Sequence, residues 1–157
     1  MKSDMVMKYR KDERTKNLTL RDIHVGDWVQ VWSEYTERYS PPLKIIQICD
    51  DGTIYLVTSD EERPTPWEED IKNVDALLMT PELLMGFGFE LEHVKLTSCY
   101  YAVFYNKKRI CEAWIFSDGR LEIDHLHYNY EYFHDFLQAT NRRFQIIDKL
   151  EWKGIER

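Results

Sequence analysis

Asp51-Gly52 stands between two apolar, β-branched runs, residues 43–49 and 54–59. Both central residues of a type I′ turn need positive φ, so this dipeptide is a strong hairpin signal. Taken as a two-residue loop, it predicts Cys49 opposite Ile54, Ile48 opposite Tyr55 and Ile46 opposite Val57. One face then carries Ile46, Ile48, Tyr55 and Val57, and the other Ile45, Cys49, Ile54 and Leu56. A hairpin apolar on both sides requires cover on both sides. A curled barrel covers one face, and another part of the chain must cover the second. Upstream, Val29 and Val31 alternate with Trp28, Gln30 and Trp32, the period of a strand. Residues 23–74 therefore predict a small, twisted β-barrel. Residues 33–42 form its loop, ended by Pro41-Pro42, which cannot sit in a central strand. Residues 61–66 form a second break, and residues 67–74 a last short strand or turn.

The chain has 157 residues, room for one ordinary domain or two small ones. Its 43% hydrophobic and 14% aromatic content suits a packed globular protein. A net charge of −7 argues against general nucleic-acid binding, which needs a basic footprint. The charge is uneven: residues 1–21 carry seven Lys/Arg against three Asp/Glu, and residues 50–75 nine acidic side chains against two basic ones. Residues 1–19 read as a flexible charged arm. Cys49, Cys99 and Cys111 form no CxxC pair and leave an odd one, so reduced thiols in a cytoplasmic protein are expected. If a later hairpin turns at Lys107-Lys108, Cys111 falls opposite Phe104. No stretch approaches the roughly 20 apolar residues of a membrane span.

Thr80-Pro81 opens a short helix. The threonine caps the first N–H groups, proline fits the first turn, Met79 can staple against Leu84, and Gly86 or Gly88 supplies the stop. Strands are predicted at 89–96, 99–105, 110–116 and 121–125. Asp118-Gly119 predicts a second two-residue hairpin, with Phe116 opposite Leu121 and Trp114 opposite Ile123. Asn129 is placed as the cap of a helix to about Thr140, with Tyr130, Phe133, Phe136, Leu137 and Thr140 on one face. Asn141 is expected just past its end, with Arg142 and Arg143 suiting the negative end of the helix dipole. A final strand is expected at 144–150 and a polar tail at 151–157. The fold class is α+β: an N-terminal SH3-like barrel over 20–76, then a helix and an antiparallel sheet with one packed helix over 77–150, packed on the barrel.

Three segments resemble a family of uncharacterised proteins from gut-bacterial genomes, mobile elements and phages. Residues 20–29, LRDIHVGDWV, are similar to that family's opening LRIGNWV phrase. Residues 78–87, LMTPELLMGF, resemble its PLTEELLLKFGF centre, and residues 136–144, FLQATNRRF, its closing YFALTGEEL. Order and spacing carry the likeness. Arg142 and Arg143 stand where the family has acidic residues, and Tyr130 where it usually has histidine. The resemblance implies an accessory protein of mobile-element origin and transfers no catalytic residue.

Three functional classes compete. The first is a non-enzymatic binding or adaptor module for a protein or peptide partner. The aromatic set Trp28, Trp32, Tyr35, Tyr39 and Trp67 suggests a groove offering flat surface to an extended or proline-rich peptide. Burial is the simpler fate for Trp28 and Trp32, which leaves Tyr35 and Tyr39 as the better contact residues. The second is a metal-dependent hydrolase using Asp124, His125 and His127 with His134, since imidazoles at alternate strand positions share a face. The third is a nucleic-acid-binding accessory protein using the basic arm and Arg142/Arg143. Tyr100, Tyr101, Tyr105, Tyr128, Tyr130 and Tyr132 are able to stack bases, although the negative charge opposes this. Asp60, Glu61, Glu62, Glu68, Glu69 and Asp70 form an acidic stretch without EF-hand spacing. No GxSxG, P-loop or HExxH pattern occurs, and no cofactor is implied.

Overall fold

The computed structural model describes residues 14–58, 66–94, 99–115, 121–123, 131–144 and 150–154. The chain divides into two compact units, Met1–Leu77 and Leu78–Arg157. Antiparallel sheet dominates both. Among the described residues no helix is long and apolar enough to cross a membrane.

The first unit holds β1 (Trp28–Ser33), β2 (Arg38–Tyr39), β3 (Leu43–Ile48), β4 (Thr53–Val57), β5 (Trp67–Asp70) and β6 (Val74–Asp75), with a 3-10 turn at Ile71–Asn73. Their order is β2-β1-β3-β4-β5, with β6 also pairing β1, in a sheet that curls into a half-barrel. The five residues from Trp28 to Trp32 are all buried. The strand enters through a turn in which Gly26 takes φ +101°, and its N–H donates to the Ile45 carbonyl at 2.8 Å. The buried Asp27 carboxylate accepts the His24 N–H at 2.7 Å.

The β3–β4 hairpin differs from its expected register. Ile48 lies opposite Ile54, Gln47 opposite Tyr55, and Ile45 opposite Leu56. The loop is Asp50-Asp51-Gly52: Cys49 donates to the Thr53 carbonyl at 2.9 Å, and Gly52 donates back to Cys49 at 3.1 Å. Only Gly52, at φ +94°, takes the left-handed conformation, as three-residue hairpins require. Asp51 Oδ1 accepts the Thr53 N–H at 2.9 Å, which closes this turn and holds the carboxyl below its usual range. A bulge at Ile46 then absorbs the extra residue. The bulge also corrects the expectation of two apolar faces. Ile45, Ile54 and Leu56 are fully buried, whereas Ile46 is 41% exposed and Tyr55 half-buried. Val57 is the buried residue of that second face, so the hairpin needs full cover on one side and cover only near Val57 on the other.

Part of the arm is docked. Leu18 donates to Val74 O and Ala76 to Lys16 O, both at 2.9 Å, and Asn17 bridges Asp75. Residues 16–18 thus run antiparallel to β6, and Leu18 is buried. Residues 33–42 are likewise more than a loop, because β2 pairs back onto β1.

The second unit opens with α1 (Pro81–Gly86), capped by Thr80, whose Oγ1 accepts the Leu83 N–H at 3.1 Å. Met79 and Leu84 are both buried, and Gly88 at φ +94° terminates the helix, donating to Met85 O at 3.0 Å. Then come β7 (Phe89–His93), β8 (Tyr100–Tyr105), β9 (Lys108–Ile115), β10 (Leu121–Ile123) and α2 (Phe133–Phe144). The four strands form a meander in chain order. The β8–β9 turn is Asn106-Lys107, with φ +51° and +67°, as type I′ geometry demands. The turn thus falls one residue before the expected Lys107-Lys108, and with an irregularity between Val103 and Phe104, Cys111 faces Val103 instead of Phe104.

Leu121 pairs Ile115 and Ile123 pairs Ala113, one position from the expected register. The proposed Asp118-Gly119 turn lies outside the described residues. So do Asn129, Tyr130 and most of the expected last strand. α2 begins later than predicted and continues through Asn141, so Arg142 and Arg143 belong to its last turn. Phe133, Phe136, Leu137 and Thr140 form its buried face, as the spacing predicted.

The described part of the expected polar tail, residues 151–154, instead packs at the end of α1. Lys153 donates to Gly86 O at 2.8 Å, and Trp152 packs on Phe87 with ring centroids 4.9 Å apart.

All three cysteines are free thiols. Burial pushes the Cys111 thiol up to about 12, whereas Cys49 and Cys99 are half-exposed. Thiolate is the reactive form. At mildly alkaline pH, an alkylating reagent should modify Cys49 and Cys99 in native protein and reach Cys111 only on unfolding. Mass spectrometry before and after denaturant reads this directly.

Candidate functional site

Trp32, Tyr35, Tyr39 and Trp67 all line one groove of about 890 Å³ in the first unit. Local rules set one of its walls. Trp32 pairs Tyr39 and Ser33 pairs Arg38 across β1–β2, so the intervening loop projects Tyr35, 90% exposed, at its tip. Glu37 takes φ +54° to close the loop, and Ser33 Oγ accepts the Thr36 N–H at 3.2 Å. The other wall is β5 with the 3-10 turn. There Trp67 and Glu69 face the groove, followed by Lys72 and Asn73. The groove therefore lies between the β1–β2 hairpin and β5 with its 3-10 turn.

Tyr39, which lines the groove, is tied into a network that the sequence reading missed. Asp75 is fully buried on β6. It accepts Arg14 Nε at 2.7 Å and Nη2 at 2.5 Å, the Tyr39 hydroxyl at 2.6 Å and Asn17 Nδ2 at 3.3 Å. Thr15 N–H donates to the Tyr39 oxygen at 2.9 Å. Tyr39 also packs edge-on against Trp32 at 4.9 Å, and the Arg14 guanidinium lies 6.0 Å from the Trp32 ring centre. Burial, then the bond to Asp75, pushes the Tyr39 hydroxyl up to about 12. The bond to Asp75 likewise raises Arg14 above its ordinary value. One faint signal was present: Asp75 is a lone acid inside the apolar run 74–79.

Trp28 and Trp32 are 1% and 6% exposed, so Trp32 offers the groove little surface. Trp67, 37% exposed, and Tyr35 offer much more. Comparison of the chain with family models, curated proteins and solved structures gives no match.

The remaining candidates are dispersed. Asp124, His125 and His127 lie outside the described residues. His134 is buried on α2, its Nε2 3.4 Å from Asp135 Oδ1. Among the described residues no group of His, Cys, Asp and Glu is arranged to hold a metal. Asp60, Glu61 and Glu62 are outside the described residues, while Glu68, Glu69 and Asp70 form β5. Asp70 caps the 3-10 turn, accepting Lys72 N–H at 2.9 Å. Tyr100 packs on Trp114, Tyr101 on His93 and Tyr105 on Phe89, at 4.5, 5.3 and 5.0 Å. These three tyrosines are thus engaged in cross-strand ring pairs. Tyr132 joins Leu78 through a β-bridge, and Tyr128 lies outside the described residues.

Proposed function

We propose that the protein is a non-enzymatic binding module whose groove holds an extended peptide segment. The observation that carries this reading is the convergence of Trp67 and Tyr35 on one groove with Trp32 and Tyr39. Tyrosine and tryptophan present large, stiff surface at small entropic cost. A volume of about 890 Å³ suits a short segment of chain, since binding clefts span roughly 300–1,000 Å³. Flat aromatic surface matches the preformed polyproline II conformation. On this reading the half-barrel is SH3-like, and the resemblance adds an accessory role of mobile-element origin.

Titration with a panel of short proline-rich and mixed-sequence peptides, followed by tryptophan fluorescence and amide chemical shifts, tests the reading. Binding is expected to perturb Trp67 and the β1–β2 loop. Trp67→Ala and Tyr35→Ala should each weaken it about tenfold or more. Tyr35→Ala should leave stability within about 0.5 kcal/mol, because that ring is solvent-exposed. Peptides that fail to bind, or bind both variants as well as the parent, would refute the proposal.

A further inference from the structure

Antiparallel partners share a face of the sheet. Trp67 lies opposite Leu56 and Glu69 opposite Ile54, and both partners are fully buried. The inner face of β4–β5 thus reads Ile54, Leu56, Trp67 and Glu69, with a single charge among them. Glu68 and Asp70 lie on the other face, opposite Tyr55 and Thr53.

Glu69 is half-buried, with the neutral Asn73 side chain nearby. Loss of water raises its carboxyl pKa. A carboxylate on an apolar face, with no ion-pair partner among the described residues, favours an incoming positive charge. Arg38 and Lys72 also line the groove. Both are exposed, where solvent screens them. We propose that the segment bound in the groove carries a basic side chain that seats against Glu69, its stem lying on the aromatic surface that Trp67 contributes. This rests on the peptide-binding reading and adds the chemistry of the guest. Charge complementarity with Glu69 and the fit of an aliphatic stem to tryptophan select it.

Three probes settle the point: a short polyproline peptide carrying one central arginine, and its norleucine and glutamate counterparts. The arginine peptide is expected to bind about tenfold tighter than the norleucine peptide, the usual gain from one charge-assisted hydrogen bond, and the glutamate peptide weaker than both. Glu69→Gln should erase the arginine preference while leaving norleucine affinity within about twofold. Glu68→Gln, the same charge change on the opposite face, should preserve it. Equal affinities for arginine and norleucine peptides would overturn the inference and leave the module reading intact. So would a Glu68→Gln variant that loses the preference as fully as Glu69→Gln, since general acidity would then suffice. Failure of all three peptides to bind would overturn both.

Discussion

Arg14→Ala is expected to destabilise the protein by about 3 kcal/mol, measured as a shift in urea unfolding midpoint at unchanged slope. The substitution removes the one cation that touches Asp75 among the described residues and leaves a fully buried carboxylate with neutral donors. An uncompensated buried charge costs several times what an exposed ion pair contributes. The double variant Arg14→Ala/Asp75→Ala should therefore be more stable than Arg14→Ala alone, because the stranded charge goes too. A single-variant loss below about 0.5 kcal/mol would show the contact to be an ordinary surface pair. The same network gives a pH signature. Tyr39 titrates near 12 when folded against about 10 in an unfolded chain. The folded state thus holds the proton more tightly. Its contribution is complete below pH 10 and disappears as pH rises towards 12. With the ring half-exposed, screening reduces this to about 1 kcal/mol. Cys111, raised by burial, adds to the same alkaline limb from about pH 9. The difference between parent and Tyr39→Phe isolates the tyrosine.

Gly86→Ala is expected to cost about 1–3 kcal/mol, although alanine is the better helix former. A Cβ at this position would overlap the six-membered ring of Trp152, so the indole must leave Phe87 or the helix must shift. Trp152→Ala should cost a comparable amount by exposing Phe87 and the Gly86 backbone. In that background Gly86→Ala should become neutral or slightly stabilising, since only helix propensity remains. Thermal unfolding of the four proteins in this cycle measures the coupling. Additive losses would mean that the ring and the glycine do not constrain one another.

The two predictions rest on contacts that sequence reading did not find, and the reason is common to both. Arg14 and Asp75 are 61 residues apart, and nothing in either neighbourhood names the other. Trp152 sits in a charged terminal stretch that local composition marks as polar. Much of the candidate groove was visible, by contrast. Tyr35 lies in a polar loop bounded by prolines, and Trp67 just beyond a proline-rich break, so both were recognisable as aromatics with little local reason for burial. That Glu69 shares their groove depends on the pairing of β5 with β4, which only the register supplies.

Local chemistry by itself determined roughly where the chain turns, the helix cap and the approximate strands, but not the length of the Asp50–Gly52 loop. Gly52 and Gly88 adopt conformations that Cβ disfavours, Thr80 satisfies a helix N–H, and the spacing of Phe133, Phe136, Leu137 and Thr140 marks a helix face. Each is decided within a few residues. Tertiary structure decided the registers, the bulge at Ile46 and the docking of residues 14–18 on β6. A strand can slip by one residue with no change in its own propensity, and only the core it must fill selects among the alternatives.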